Sequence, residues 1–151
     1  MDNIRKADVK DISRIAEILI FTKRMDYRSI FQNDTVTFKE MQVVPLAEEL
    51  AQNKGRLANY WIYDDGIVKG LVCVTGKEVS ELYVDCFFQS QGIGSKLIAF
   101  AMNDKGANHL WVLEKNEKAI CFYTRHNFVL SGERMLEEGT TQYIVGMVRR
   151  E

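Results

Sequence analysis

A chain of 151 residues, 46% hydrophobic and 27% charged, has the length and make-up of one globular domain able to bury a real core. Its net charge of −1 provides no overall field for nucleic acid or an anionic membrane, so neither partner is expected. No apolar run reaches the roughly 18 residues of a membrane span, and Met1-Asp2-Asn3 does not open a signal peptide. The three cysteines, Cys73, Cys86 and Cys121, lack metal-ligand spacing. The expectation is a cytoplasmic protein without a metal, with Cys73 and Cys121 buried as thiols because both lie in apolar runs.

In chain order, residues 3–7 read as a short strand. Asp8 can then cap a helix, because Val9, Ile12, Ile15, Ile18 and Leu19 recur at helical spacing. A less regular helical region covers residues 38–54, with Pro45 able to open one of its pieces. Two apolar runs, residues 59–63 and 67–74, flank Asp64-Asp65-Gly66, which is a hairpin signal. Gly76-Lys77 turns the chain into a strand ending at Val84. A glycine-rich turn follows, then a helix over residues 95–102, a strand over 109–113 and a helix over 117–126. Strands over about 128–134 and 142–148, joined by a loop holding Glu137, Glu138 and Gly139, end the series. With no repeat, linker or low-complexity segment, residues 1–151 form one mixed α/β domain around a central sheet.

The turn between strand and helix is Gln89-Ser90-Gln91-Gly92-Ile93-Gly94, followed by Ser95. The first N–H groups of a helix have no intrahelical partner and lie at the positive end of its dipole. Glycine lets backbone approach an anion closely. Residues 89–95 therefore read as a phosphate cradle. A P-loop would need Gly-Lys-Ser/Thr, and here Gly94 precedes Ser95-Lys96. A dinucleotide fingerprint would need a third small residue where Leu97 stands. The bland alternative is a glycine-rich helix start that binds nothing.

The surviving pattern, Gln89-x-x-Gly92-x-Gly94, resembles the acyl-CoA-binding loop of the GCN5-related N-acetyltransferases, the GNAT family. A second stretch strengthens the likeness: the strand His109-Leu110-Trp111-Val112-Leu113, then Asn116, Ala119, Phe122-Tyr123 and Phe128, in that family's order. Asn127 replaces the usual glycine at a helix end, where Asn tolerates the left-handed conformation next best after Gly. The likeness is strong over residues 67–130 and weak before them.

The resemblance implies a fold and a chemistry. The fold is a mixed sheet with helices on both faces and a splay between the fourth and fifth strands. The activity is direct acetyl transfer from acetyl-CoA to a primary amine of a small molecule or peptide, without a metal and with a homodimer left open. Leu82, Tyr83 and Val84 would pair with the pantetheine arm and polarise the thioester carbonyl. Gln89, Ser90, Gln91, Gly92, Ile93, Gly94 and Ser95 would hold the pyrophosphate, and Phe122 and Tyr123 would line the same cofactor. Asn116 would bond the arm from the other side; it equally reads as a plain helix N-cap, and both can hold together. Tyr123 is the expected proton donor to the leaving thiolate; read without the family it is a core aromatic.

The base is Glu81 or Glu78 on the strand before the loop. Alternation sends the two to opposite faces, and Glu81 lies nearer the splay. Glu114 is a third, more exposed candidate. His109 and His126 have no Ser, Cys or Asp partner at meaningful spacing, and Cys86 stands near the cofactor without a nucleophilic role. The resemblance implies that the acceptor is chosen mainly by the segment between the first two helices, residues 21–34 here, and by the loop before the last strand. The aromatic and acidic side chains of residues 21–34 suit an amine, whereas Arg24 or Arg28 could hold a carboxylate. Two other functions fit the same residues: a CoA-binding sensor without turnover, and an interaction module with an empty loop.

Overall fold

The computed structural model describes residues 3–150. Seven strands form one sheet in the order β1-β2-β3-β4-β5-β7-β6. Strand β1 (Ile4–Lys6) is followed by Asp8, whose side chain accepts from the Lys10 N–H while Asp11 answers on the Asp8 N–H, a reciprocal cap. The capped single turn runs into helix α1 (Ile12–Phe31). Ile12, Ile15, Ile18 and Leu19 of the expected apolar stripe are buried, whereas Val9 is exposed before the helix proper.

The irregular region resolves into three pieces. A π-helical turn (Thr35–Glu40) precedes α2 (Val43–Gln52), with Pro45 in the first turn, where its missing N–H breaks no bond. A single turn, α3 (Lys54–Leu57), leads into the hairpin of β2 (Tyr60–Asp64) and β3 (Val68–Thr75). Strand β4 (Glu78–Val84) pairs antiparallel with β3 and leads through a short turn (Cys86–Phe88) to α4 (Ile93–Asn103). Then come β5 (His109–Leu113), α5 (Glu117–Arg125), β6 (Phe128–Leu136) and β7 (Tyr143–Arg149).

Helices cover both faces of the sheet. Ile62, Leu71 and Cys73 pack with α1 and with Leu50 of α2 on one side. Val72, Val74 and Val79 pack with Ile93, Leu97 and Ile98 of α4 on the other, joined by Ala119 and Ile120 of α5. The alternation of β3 thus divides two cores. At Gly70 the second core comes closest to the backbone: a Cβ there would lie 3.0 Å from Leu97 Cδ1 and 3.2 Å from Ile93 Cγ2. The missing side chain seats the start of α4 against the sheet.

Two details position the site. Strands β4 and β5 run parallel but pair only at Glu78↔His109 and Val79↔Leu110. Beyond those two pairs they diverge, and β5 pairs onward with β7, so the β5-facing edge of Leu82–Val84 is open. The second detail is a bulge: Val79 faces Val74 and Glu81 faces Cys73, leaving Ser80 as one extra residue.

Two expectations need correction. Glu78 faces Thr75 and Glu81 faces Cys73, positions two apart on β3, so the bulge brings both glutamates to one face rather than two. Cys121 is exposed, because α5 turns Ile120, Phe122 and Tyr123 inward and leaves Cys121 on its outer side. Cys73 is buried as expected, and burial pushes its thiol up to about 11. No helix among the described residues is long and apolar enough to cross a membrane.

Candidate active site

The splay opens a cleft of about 900 Å³. Its walls come from α1, β4, the turn and start of α4, β5, α5 and the β6–β7 loop. Every cofactor-site residue expected from sequence lines it except Gln91, which is exposed on the outside of the turn.

The cradle is built locally. Asp85 accepts from the Phe87 N–H and is bound by Arg14 at 2.8 Å, fixing where the chain leaves β4. Gln89 donates its amide to the Val84 carbonyl at 3.2 Å and receives Lys118 Nζ at 3.4 Å, tying the turn to β4 and α5. Ser90 and Gly92 both take positive φ, +65° and +81°. Gly92 is the N-cap of α4 and supplies no capping side chain. The first amides of α4 are therefore left to an outside acceptor. Gly94 is a close-packed position: a Cβ there would sit 3.2 Å from the Phe122 ring and 3.7 Å from Val84. An anionic ligand backed by an apolar arm fits this combination of open amides, Gly94 and the free edge of Leu82–Val84.

Helix α5 faces that edge. Asn116 caps it, its Oδ1 accepting from the Ala119 N–H at 3.2 Å. Tyr123 lines the cleft with its ring edge-on to Phe122 at 5.2 Å and to Phe128 at 6.0 Å. Its hydroxyl has no hydrogen-bond partner among the described residues. Burial, and secondarily the nearby Tyr27, raise the phenol well above its ordinary range, so it holds its proton. Tyr27 of α1 and Tyr83 of β4 share a hydrogen bond at 2.9 Å, and burial raises both. Three phenols thus converge on the splay.

Glu81 is a held carboxylate. Tyr60 donates its hydroxyl to Oε1 in a short hydrogen bond, and Arg56 Nη2 lies 3.5 Å from the same oxygen. Lys23 Nζ stands 3.9 Å from Oε2, which is buried and receives no hydrogen bond. Burial and then Glu81 raise the Tyr60 phenol, keeping it the donor of that pair. Glu78 also lines the cleft but faces His109 at 3.7 Å. Glu114 is exposed and bound by Arg134 at 2.8 Å, which takes it out of consideration.

Several partners could not be seen in the sequence. His126, at the end of α5, brings Nε2 to 3.1 Å from Ser95 Oγ, so this histidine has a serine partner across 31 residues after all. Tyr60, Arg56, Lys23 and Tyr27 reach the site from segments that carry no motif. Arg24 and Arg28 do not line the cleft. Arg24 donates to the Thr37 and Met41 carbonyls at 3.2 and 2.8 Å, and Arg28 pairs with Asp34 at 3.1 Å.

Comparison with known proteins bears on the fold. The model of a family described as an acetyltransferase (GNAT) domain matches residues 56–130. Among solved structures, an N-acetyltransferase from Staphylococcus aureus Mu50 superposes with a TM-score of 0.77 at 13% identity, over 96% of this chain and 98% of that one. The PaiA N-acetyltransferase from Thermoplasma acidophilum, solved in complex with coenzyme A, gives 0.67 at 19% identity over 97% and 98%. The protein yncA from Salmonella typhimurium, solved with its cofactor acetyl-CoA, gives 0.68 at 19% identity over 98% and 93%. At such identities the likeness establishes the shared fold.

Proposed function

The chain belongs to the GNAT acetyltransferases, and from that premise we propose that it moves an acetyl group from acetyl-CoA to a primary amine held in the same cleft. The observation that carries the reading is the uncapped start of α4 at Gly92, set beside the unpaired edge of Leu82–Val84 and facing Tyr123. The open helix start, the free strand edge and Tyr123 line one cleft. Acetyl-CoA carries one group for each: pyrophosphate, pantetheine and thioester.

The residues would divide the work as follows. The amides of Ile93–Ser95 bind the pyrophosphate, with Lys118 adding charge beside Gln89. The Leu82–Val84 backbone pairs with the arm, and its N–H groups polarise the carbonyl oxygen. The incoming ammonium gives one proton to Glu81, directly or through water, and the free amine attacks the carbonyl carbon. The carbon–sulfur bond breaks, and the thiolate takes the Tyr123 proton. The phenolate regains a proton from the newly bonded nitrogen, leaving a neutral amide and a free thiol. The acid stays protonated because it is buried, and the carboxylate stays in place because Tyr60 and Arg56 hold it.

Thiol release from acetyl-CoA over a panel of amines tests the reading. Amine-dependent release, with a thermal shift by CoA alone, is the expected result. A CoA shift without release from any amine would instead favour a sensor, and no shift at all an interaction module.

A further inference from the structure

One ammonium group of the chain already stands beside the carboxylate that the proposed reaction uses as its base. Lys23 of α1 brings Nζ to 3.9 Å from Glu81 Oε2 and 5.9 Å from the centre of the Tyr83 ring. Glu81 Oε1 is occupied, by the Tyr60 hydroxyl and by Arg56 Nη2. Oε2 is buried and receives no hydrogen bond, and the cation beside it is Lys23. Lys23, Glu81 and Tyr83 all line the cleft, together with Tyr123.

The helix fixes where this lysine starts. Arg14 pairs with Asp85 at 2.8 Å and Tyr27 shares a hydrogen bond with Tyr83 at 2.9 Å, so α1 is tied to the end of β4 on both sides of Lys23. Thr22, next to it in the chain, is buried. The Lys23 side chain is 31% exposed, and its contact with Glu81 is longer than a hydrogen bond. Its ammonium is therefore near the carboxylate without being locked to it, on a flexible four-carbon stem. The segment that follows Glu81, Leu82–Val84, is the edge that would hold the thioester carbonyl. Lys118 is the other lysine lining the cleft among the described residues, and it stands at the turn, 3.4 Å from Gln89.

Resting on the acetyl-transfer reading, the geometry points to Lys23 as a site of self-acetylation: with acetyl-CoA bound and no external amine, the chain acetylates its own Nζ. The Lys23 ammonium gives one proton to Glu81, which passes it to solvent. The free amine attacks the carbonyl carbon, a carbon–nitrogen bond forms and the carbon–sulfur bond breaks. The thiolate leaves with the Tyr123 proton, and the phenolate regains one from the newly bonded nitrogen. One acetyl-CoA thus gives one amide and one free thiol. An external amine reaches Glu81 by displacing Lys23, so the two acceptors compete.

Incubation of the purified protein with acetyl-CoA and no amine, followed by intact-mass measurement and peptide mapping by mass spectrometry, tests this. A single acetyl group should appear at Lys23, at least about tenfold faster than at Lys118 in the same cleft or at the exposed Lys10. Thiol release without amine should stop at a single equivalent per chain. The labelled fraction at a given time should not depend on protein concentration, because transfer stays within one chain. Lys23→Arg should lose the label. Glu81→Gln, checked for folding by its thermal shift with CoA, should slow labelling of Lys23 at least about tenfold and leave Lys10 unchanged. Labelling of Lys23 no faster than of Lys10, or unslowed in Glu81→Gln, would overturn self-acetylation, while thiol release with external amines would leave acetyl transfer standing. Absence of both the Lys23 label and amine-dependent release would overturn both.

Discussion

Replacing Tyr123 by Phe removes one oxygen and leaves the ring. The ring contacts with Phe122 at 5.2 Å and Phe128 at 6.0 Å persist, and the lost hydroxyl had no hydrogen-bond partner among the described residues. The variant should therefore fold with a stability change below about 1 kcal/mol. If the phenol protonates the leaving thiolate, kcat should fall by on the order of 10²–10⁴-fold, about 2.7–5.4 kcal/mol of barrier. CoA affinity should change little, since the contact exists only as the thiolate leaves. Stopped-flow thiol release at saturating substrates gives the first number and calorimetric titration with CoA the second. The pH profile adds a sign. Burial raises this phenol, so the donor keeps its proton past the ordinary tyrosine range near ~10, and wild-type kcat should not fall there. A loss below tenfold, or a wild-type decline centred near ~10, would refute the assignment and leave Tyr123 a positioning role.

Gly92→Glu should weaken CoA binding by more than about 100-fold relative to Gly92→Ala, which shares the strain of φ +81° but adds no charge; equal losses in calorimetry would remove the phosphate assignment. Glu81→Gln should lose rate most below the pKa of the acceptor amine and recover much of it above, whereas a pH–rate curve parallel to wild type would move the base to Glu78 or to water. Burial raises the folded-state phenols of Tyr27, Tyr60, Tyr83 and Tyr123 above the unfolded value near ~10. The stability they contribute is complete below that pH and is lost as pH rises toward the folded values. Their tyrosinate absorbance should appear together with loss of circular dichroism, and tyrosinate from these four in a still-folded protein would contradict the burial.

Element order was legible because turn chemistry and apolar period agree along most of the chain. Asp64-Asp65-Gly66 and Gly76-Lys77 punctuate strands of clear pattern, and Asp8 caps where it should. The glycine turn and the start of α4 were legible because their signal is local: a strand, glycines and a helix start occupy consecutive positions. What was hidden is long-range or costs a single residue. The bulge at Ser80 has no Gly or Pro to mark it, yet it moves Glu81 onto the face of Glu78. Tyr60, Arg56 and Lys23 meet Glu81 only because β2, α3 and α1 fold over β4. Ser95 and His126 meet across the whole of the second motif. The exposure of Cys121 could have been read from the helical wheel of α5, because Ile120, Phe122 and Tyr123 define the inward face.

In the proposed acetyl transfer, helix α1 would let such a site keep one cosubstrate and change the other. Its Ile15, Ile18 and Leu19 lie in the core against the sheet, which fixes the rotation of the helix. Lys23, Asp26 and Tyr27 then fall on one face, at spacings of three and four, and all three line the cleft. None of them belongs to the turn or the helix start that forms the cradle. Substitutions along that face alter charge and shape around the amine while the amides of α4 and the edge of β4 stay as they are. The acidic loop of Glu137 and Glu138 is separate from the cradle in the same way, being tied to its own turn. In the proposed reaction, α1 and this loop could therefore differ in side chains while the turn and the start of α4 stay as they are. The absence of a motif in α1 follows from the same separation: a helix face packed over a cleft is held by long-range contacts, not by the geometry of a turn.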